Sequence, residues 1–233
     1  RFAVFVGTAF PDTPLPKGTF VGMQLRTQIT DLADSSDADR AGRCARARAD
    51  LGLDTDRPTL LVSGGSQGAV AINDAVVAAR DTLLADGVQI LHVVGPKNIK
   101  GNTKIVDETT GAAWLPVGYV DDMASAYAAA DLMVARSGAG TVVETATVGL
   151  PTIYVPLPHG NGEQARNATS AVDAGAGVVV TNAELDAQRL LAETARIHDA
   201  DALARMSAAG RGLMPAHAAE EMAARVISAT NSK

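Results

Sequence analysis

From about residue 57 onward, short apolar runs alternate with longer stretches that have helical spacing. Six runs share this character: TLLVS (59–63), QILHVV (89–94), AWLPVG (113–118), LMVA (132–135), TIYVP (152–156) and GVVV (177–180). Continuous apolar runs are typical of strands buried on both faces, and the intervening helices would connect parallel strands. The pattern predicts an α/β fold, a Rossmann-like parallel sheet of six strands with helices on both faces.

Composition narrows the class of protein. The chain has 233 residues, of which 47% are hydrophobic, which is enough for one large domain or two small ones. A formal net charge of −6 gives no overall attraction to nucleic acid or anionic lipid, so no nucleic-acid partner is expected. The single cysteine, Cys44, cannot form an intramolecular disulfide, which favours a reducing, cytoplasmic location.

The two ends of the chain are less regular than its centre. Residues 1–25 contain a strand, a Pro-rich turn and a second short strand, and Ala-rich helices in residues 184–229 are interrupted at GRGLMP. The sequence starts at Arg1 inside a strand-like run, RFAVFVG. We therefore expect it to be a piece of a longer protein.

Two turns of small residues follow predicted strands: SGGSQGA (63–69) and RSGAGT (136–141). In an open parallel sheet, ligands bind where such turns lead into helix N-termini, whose free amides and dipole favour phosphate. A tight turn without a ligand is the alternative. Ser66 and Val143 break the dinucleotide fingerprint, and neither turn has a Walker lysine, so NAD binding and ATP hydrolysis are disfavoured.

Glu144 lies three residues after Thr141 and would share its helix face. A hydroxyl in the first turn can donate to phosphate, and a carboxylate one turn deeper can accept hydrogen bonds from two vicinal ribose hydroxyls. Together they predict a nucleoside diphosphate site. The alternative is an acid that stabilises only the helix dipole.

Three segments in this order carry a resemblance: GGSQGA (64–69), GYVDDMASAYAAADLMVARSGAGTVVE (118–144) and GLPTIYVPLPHGNGEQARNA (149–168). They closely resemble the MurG family of GT-B glycosyltransferases, over about residues 20–233. These enzymes move N-acetylglucosamine from UDP-GlcNAc onto lipid I to make lipid II in peptidoglycan synthesis. The resemblance implies the C-terminal half of a GT-B hexosyltransferase.

The resemblance also implies a division of the chain. Residues 1–25 would be the end of the N-terminal acceptor domain and a linker, residues 26–213 the UDP-sugar-binding domain, and residues 214–233 a helix that packs back on the missing domain. The general base would lie in that missing half, so the catalytic residue is unknown here and the chain is expected to be inactive alone. Lipid I would bind through the same missing half.

Site residues follow from the resemblance. Arg26 and Ser66 would contact the diphosphate, and Thr141 with the amides around Ala139 and Gly140 would hold the phosphates. Glu144 would bind the ribose.

Five further residues would bind the nucleoside and the sugar. Tyr119 would cover the uracil, the backbone of Val120 would read its edge, and Met123 would lie near the nucleoside. Gln164 and Asn167 would bind the sugar hydroxyls. Glu163 stands where some relatives have His or Gln, which leaves the sugar open.

Other polar residues receive plainer interpretations. Asp121 and Asp122 are expected to cap a helix, and His159 to shape a loop or lie near the sugar. The remaining histidines, expected in a strand and two tail helices, are interpreted as structural or solvated: His92, His198 and His217. None of the D-x-D triplets follows an apolar strand, so metal-dependent transfer is disfavoured and neither metal nor cofactor is expected.

Two alternatives remain beside the MurG-type donor half. One is a non-catalytic UDP-sugar-binding subunit of a split glycosyltransferase, and the other is a GT-B transferase that uses another UDP-sugar. The full-length protein is expected to be peripheral at the inner face of the cell membrane, in contact with it mainly through the missing half. An exposed tail helix could support a dimer.

Overall fold

The computed structural model describes residues 3–65, 69–159 and 161–231. The strands are β1 (Val6–Thr8), β2 (Gly18–Phe20), β3 (Thr59–Ser63), β4 (Gln89–Val93), β5 (Ile105–Val106), β6 (Ala113–Val117), β7 (Leu132–Ala135), β8 (Thr152–Tyr154) and β9 (Gly177–Val179). The α-helices are α1 (Thr27–Ala33), α2 (Asp37–Asp50), α3 (Val70–Ala85), α4 (Met123–Ala129), α5 (Ala139–Val148), α6 (Glu163–Asp173), α7 (Ala187–Thr194), α8 (Ala200–Gly210) and α9 (Ala218–Asn231). A short 3₁₀ helix, Ala195–His198, follows α7.

The main sheet has seven strands in the order β5-β6-β4-β3-β7-β8-β9. All six predicted strands are present and pair in parallel, so the predicted sheet is confirmed. The sequence did not predict β5, a two-residue antiparallel strand at one edge. A segment that short carries no periodicity from which to predict a strand.

Helices cover both faces of this sheet because successive strand residues point to opposite sides. Leu60 and Val62 of β3 belong to one buried cluster with α3 and α7. Leu61, between them, belongs to a second cluster with α1 and α4. Continuous apolar strands are therefore required at the centre of the fold.

The strand order reverses at β3. From β3 the chain proceeds outward through β4 to β6, and it then returns to place β7 on the other side of β3, followed by β8 and β9. The loops that leave β3 and β7 are therefore neighbours at the carboxyl edge of the sheet. Such a reversal point is where open α/β sheets bind ligands.

The N-terminal segment forms a separate parallel pair, β1 with β2, beside the tail of the chain. Gly22, at φ +87°, lies so near Pro215 and Ala218 that an added Cβ would be 3.2 Å from each. An added Cβ on Gly7 would overlap the Met222 side chain of α9. The strand, turn and strand expected here are present, whereas the three-part domain division stays a prediction.

The described helices include none that is both long and apolar enough to cross a membrane.

Candidate functional site

A cavity of about 190 Å³ opens at the reversal point of the sheet. Its walls come from α1, β3 and its following turn, β4, the β6–α4 loop, α4, β7 and α5: Arg26, Ser63, Gly65, Val93, Tyr119, Val120, Met123, Tyr127, Met133, Thr141 and Glu144. Six residues predicted from sequence to bind a nucleotide sugar thus share one cavity. They are Arg26, Tyr119, Val120, Met123, Thr141 and Glu144.

The N-terminus of α5 faces this region without a side-chain cap. Gly138 is the N-cap residue, and among the residues that the structure describes it provides no side-chain hydrogen bond to this end of the helix. The first amides, which include those of Ala139 and Gly140, have no acceptor within the helix because of their position. Added Cβ atoms on Gly138 and Gly140 would meet nothing within 4 Å, so a ligand can approach the backbone closely.

Glu144 lies one turn deeper in α5, as the sequence predicted, and its side chain is 18% exposed. Its Oε2 accepts a 2.7 Å hydrogen bond from the hydroxyl of Tyr127. Its Oε1 lies 3.3 Å from Nη2 of Arg26, the N-cap residue of α1. A carboxylate has about four lone-pair sites, so both oxygens keep capacity for ligand hydroxyls.

Tyr127 is a cavity residue with a hydrogen-bonding group that the sequence analysis missed. It lies in α4 and is only 4% exposed. Burial first, and then the charge of Glu144, raise the pKa of the phenol well above 10. The group therefore stays a neutral donor at physiological pH. In the sequence it looks like one more apolar position of the Ala-rich segment, and only its partner distinguishes it.

The outer side of the cavity is formed by the β6–α4 loop. Tyr119 is 59% exposed, so it is not a core residue and its ring is free to cover a ligand. Val120 and Met123 lie beside it at intermediate exposure. Asp122 caps α4 by accepting from the Ser125 amide at 3.2 Å, as expected, and the hydrogen bonds from the Ser125 hydroxyl and amide lower its pKa. The corresponding expectation for Asp121 is wrong, because Asp122 is the N-cap residue.

Gln164 and Asn167 of α6 do not line this cavity. Gln164 accepts a hydrogen bond from the Leu157 amide at 3.0 Å. Asn167 is 9% exposed and donates to the carbonyl of Ser137 at 3.1 Å. Both residues therefore hold neighbouring backbone, and their contact with a sugar stays a prediction.

Ser66, the remaining predicted phosphate ligand, lies outside the described residues. Nearby, the Gly65 amide donates to Oγ of Ser63 at 3.3 Å, and Gly65 has a φ of +86° that favours glycine.

The histidines lie away from the cavity. His159 is exposed after β8, and His92 is buried in β4. His198 and His217 lie 3.2 Å from Asp86 and Asp34, respectively. His217 precedes α9, so its predicted place within a tail helix is wrong by one residue; the turn after Pro215 delays the helix. Within the described ranges, no group of three or more His, Cys, Asp or Glu side chains could hold a metal ion.

A larger cavity of about 320 Å³ lies between α2 and α8, at the opposite edge of the sheet. Its arginine, Arg40, is already bound to the carbonyls of Ser35, Val148 and Ala33. Burial raises the pKa of Cys44 in the same cavity, which lowers the reactivity of its thiol. The volume of a cavity alone therefore does not identify a binding site. The smaller cavity at the reversal point of the sheet is the better candidate, because the polar groups of Arg26, Thr141 and Glu144 line it.

Comparison with known proteins places the chain among glycosyltransferases. Residues 59–225 match the family described as glycosyltransferase family 28 C-terminal domain. The chain is 87% identical over its full length to the UDP-N-acetylglucosamine–N-acetylmuramyl-(pentapeptide) pyrophosphoryl-undecaprenol N-acetylglucosamine transferase of Cutibacterium acnes, of which it covers 62%. It is 48% identical to the protein of the same name from a Nocardioides species, of which it covers 60%.

The crystal structure of Acinetobacter baumannii MurG aligns with 90% of this chain and 56% of its own, at a TM-score of 0.70 and 26% identity. The chain thus spans somewhat less than two thirds of each of these relatives.

Proposed function

Because the chain belongs to the glycosyltransferase family 28 C-terminal domain family, we propose that it is the donor-binding half of an inverting N-acetylglucosaminyltransferase. It would bind UDP-GlcNAc and, joined to an acceptor-binding half, convert lipid I to lipid II. The resemblance to the MurG family and the GT-B fold predicted from the sequence are confirmed by these relatives.

One observation carries the proposal: Thr141 in the first turn of α5 and the Glu144 carboxylate one turn deeper line the same cavity, in a helix whose N-cap residue, Gly138, makes no side-chain hydrogen bond. Glu144 lies four residues after Gly140, which corresponds to about 6 Å along the helix axis. That is comparable with the span between a nucleotide's 5′-phosphate and its ribose hydroxyls. The diphosphate would then lie over the α5 amides and Thr141, and the ribose at Glu144.

The exposed ring of Tyr119 would cover the uracil, with Met123 beneath the nucleoside. The Val120 backbone would bind the edge of the base. Arg26, 52% exposed, can reach either Glu144 or an arriving diphosphate. Ser66 would add a hydroxyl to the phosphates, and Gln164 with Asn167 would contact the sugar after giving up part of their backbone contacts.

The donor half would contribute electrostatic stabilisation and orientation. The acceptor 4-hydroxyl attacks the anomeric carbon, the bond from that carbon to the diphosphate oxygen breaks, and UDP leaves with the bonding electrons. The hydroxyl proton passes to a base on the acceptor half. The α5 amides and Thr141 would stabilise the negative charge that develops on the leaving diphosphate.

The same proposal includes the oligomeric state of the protein and its location in the cell. Val226 and Ile227 of α9 are 48% and 60% exposed, and they offer an apolar surface for a dimer. Lipid I and the membrane would be contacted mainly by the acceptor half, at the inner face of the cell membrane.

Calorimetric titration tests the function. The chain is titrated with UDP-GlcNAc, UDP-glucose and NAD, beside Glu144→Ala. Loss of the ribose hydrogen bonds should weaken UDP-GlcNAc binding by about 1 to 3 kcal/mol, or roughly five- to 150-fold. Glu221→Ala is a matched control, because Glu221 is also a helical glutamate paired with an arginine, Arg225 at 2.6 Å.

Equal affinities of Glu144→Ala and the unmodified chain would contradict the site, and so would equal binding of NAD. Preference for UDP-glucose over UDP-GlcNAc would favour a GT-B transferase that uses another sugar. If the assembled full-length protein bound UDP-GlcNAc without transferring the sugar, the non-catalytic subunit would be supported instead.

A further inference from the structure

We infer that Tyr127 is a positioning residue of the nucleotide site: its buried hydroxyl holds the Glu144 carboxylate in the orientation that meets the ribose hydroxyls. The inference rests on the proposed function and adds to it a residue that acts through Glu144 and does not itself contact the reacting atoms.

The position of the hydroxyl is fixed by packing. The ring of Tyr127 lies in the buried cluster that α4 forms with α1 and the sheet, near Leu32 and Met133. Its side chain is 4% exposed, and tyrosine has only two rotatable side-chain bonds. Because the ring cannot rotate freely within this packing, the oxygen at its tip is a fixed point 2.7 Å from Oε2 of Glu144.

The second partner of Glu144 is much less constrained. Arg26 is 52% exposed and its Nη2 lies 3.3 Å from Oε1, a longer contact that water and salt can weaken. Arg26 is also the group that an arriving diphosphate would attract. The carboxylate therefore needs a partner that remains when Arg26 moves, and Tyr127 is that partner.

The chemistry of the phenol fits this role. Its raised pKa keeps it protonated, so it donates to the carboxylate and adds no charge to a site that must accept an anion. It uses one lone-pair site of Oε2 and leaves the others for ligand hydroxyls. A phenylalanine would fill the same packing space but would leave Glu144 free to rotate toward Arg26 or water.

The test compares UDP with 2′-deoxy-UDP, which lacks one of the two ribose hydroxyls. The unmodified chain should bind UDP more tightly than 2′-deoxy-UDP. The ratio of the two affinities, called the UDP preference, measures how well Glu144 hydrogen-bonds to the ribose. Tyr127→Phe should lose UDP affinity about five- to tenfold and 2′-deoxy-UDP affinity by a smaller factor, because that ligand keeps only the 3′-hydroxyl, so that the ratio of the two affinities falls toward one. A general loss of structure would lower both affinities and leave their ratio.

Tyr154→Phe is the matched control. Tyr154 is 1% exposed, and its hydroxyl lies 2.8 Å from Oγ1 of Thr145, the residue after Glu144 on α5, but it does not line the cavity. Its removal should leave the UDP preference unchanged. Thermal unfolding of both variants checks that each is folded.

A second measurement uses Glu144→Gln as background. If Tyr127 acts through Glu144, adding Tyr127→Phe to this variant should produce no further change in the ratio. An unchanged preference in Tyr127→Phe, or an equal loss for both ligands, would overturn the inference and leave the proposed function intact. A chain that binds UDP and 2′-deoxy-UDP equally would overturn the ribose assignment and this inference together.

Discussion

At the scale of single residues, His92 shows how a buried polar group is accommodated. It is fully buried in β4, where Trp114 Nε1 donates to its Nδ1 at 3.2 Å and its Nε2 lies 3.1 Å from Oδ1 of Asn73. Because an indole can only donate, Nδ1 must be the acceptor and Nε2 carries the proton. Burial lowers the pKa of His92 to about 4, so the ring is neutral at physiological pH.

This pKa predicts an acid-dependent loss of stability. Above about pH 6.5 the ring is neutral in both the folded and the unfolded chain. Between this pH and the lowered pKa, His92 is protonated in the unfolded chain but stays neutral in the folded chain. The free energy of unfolding should therefore fall between pH 6.5 and 4, by about 3 kcal/mol from this residue, and then level off. Urea unfolding across this range measures it.

His92→Gln should remove that part of the pH dependence, and His159→Gln, at an exposed position, controls for the loss of a histidine. Identical pH profiles for His92→Gln and the unmodified chain would contradict the assignment.

Particular residues show which parts of the candidate site could be predicted from the sequence. Thr141 and Glu144 were predictable as cavity residues because a strand, a small-residue turn and a helix fix their spacing from the helix N-terminus, where we propose that the phosphates bind. Tyr127 was not, since its role depends on a contact between α4 and α5 that no local pattern encodes. The same reason applies to Asn167, whose buried amide binds the carbonyl of Ser137.

At the scale of elements, a buried arginine ties α2 to the sheet. Arg48, 7% exposed in its side chain, lies 2.7 Å from Oδ2 of Asp131, which also accepts from the Thr59 amide at 2.7 Å. The same guanidinium donates to the carbonyls of Ala129 and Thr55. One side chain thus connects α2 with the starts of β3 and β7.

Asp131→Ala should lower the free energy of unfolding by about 2 kcal/mol, because it leaves the buried Arg48 without its counter-charge and leaves both Nη2 of Arg48 and the Thr59 amide without an acceptor. Urea denaturation measures the change. Asp37→Ala is the control, since Asp37 pairs with Arg211 at 2.8 Å but its side chain is 85% exposed. If the two variants were equally stable, Asp131 would have no anchoring role.

The elements themselves were largely predictable. Six strands begin where their apolar runs begin, because they are largely buried and apolar residues therefore dominate them. The series of apolar runs did not predict the order in which the strands pair. This order follows from long-range packing, as does the short edge strand β5, which exists only because β6 is beside it.

At the scale of the whole molecule, the N-terminal segment and the tail support each other. Phe10, Phe20 and Met23 pack against a buried cluster that includes Met214. Gly22 makes the close approach to Pro215 and Ala218 possible because it has no Cβ, and its φ of +87° also disfavours other residues.

Gly22→Ala should therefore loosen this contact without affecting the sheet. Hydrogen exchange should show faster exchange of the α9 amides and unchanged exchange of the β3 amides. Gly42→Ala is the control, because an added Cβ there would meet nothing within 4 Å. Faster exchange throughout the sheet, or none in α9, would contradict the proposed mutual support.

The pairing of β3 with β7 has a consequence for how the chain folds. Leu60 faces Leu132, 72 residues later, and in the described sheet the pairing of β3 with β7 alone joins the four strands β5, β6, β4 and β3 to β7, β8 and β9. Closing so long a loop is slow relative to local helix formation. The proposed nucleotide site is drawn from both sides of that junction, so we expect it to take shape late, and only a chain that has completed its sheet would be stabilised by the nucleotide.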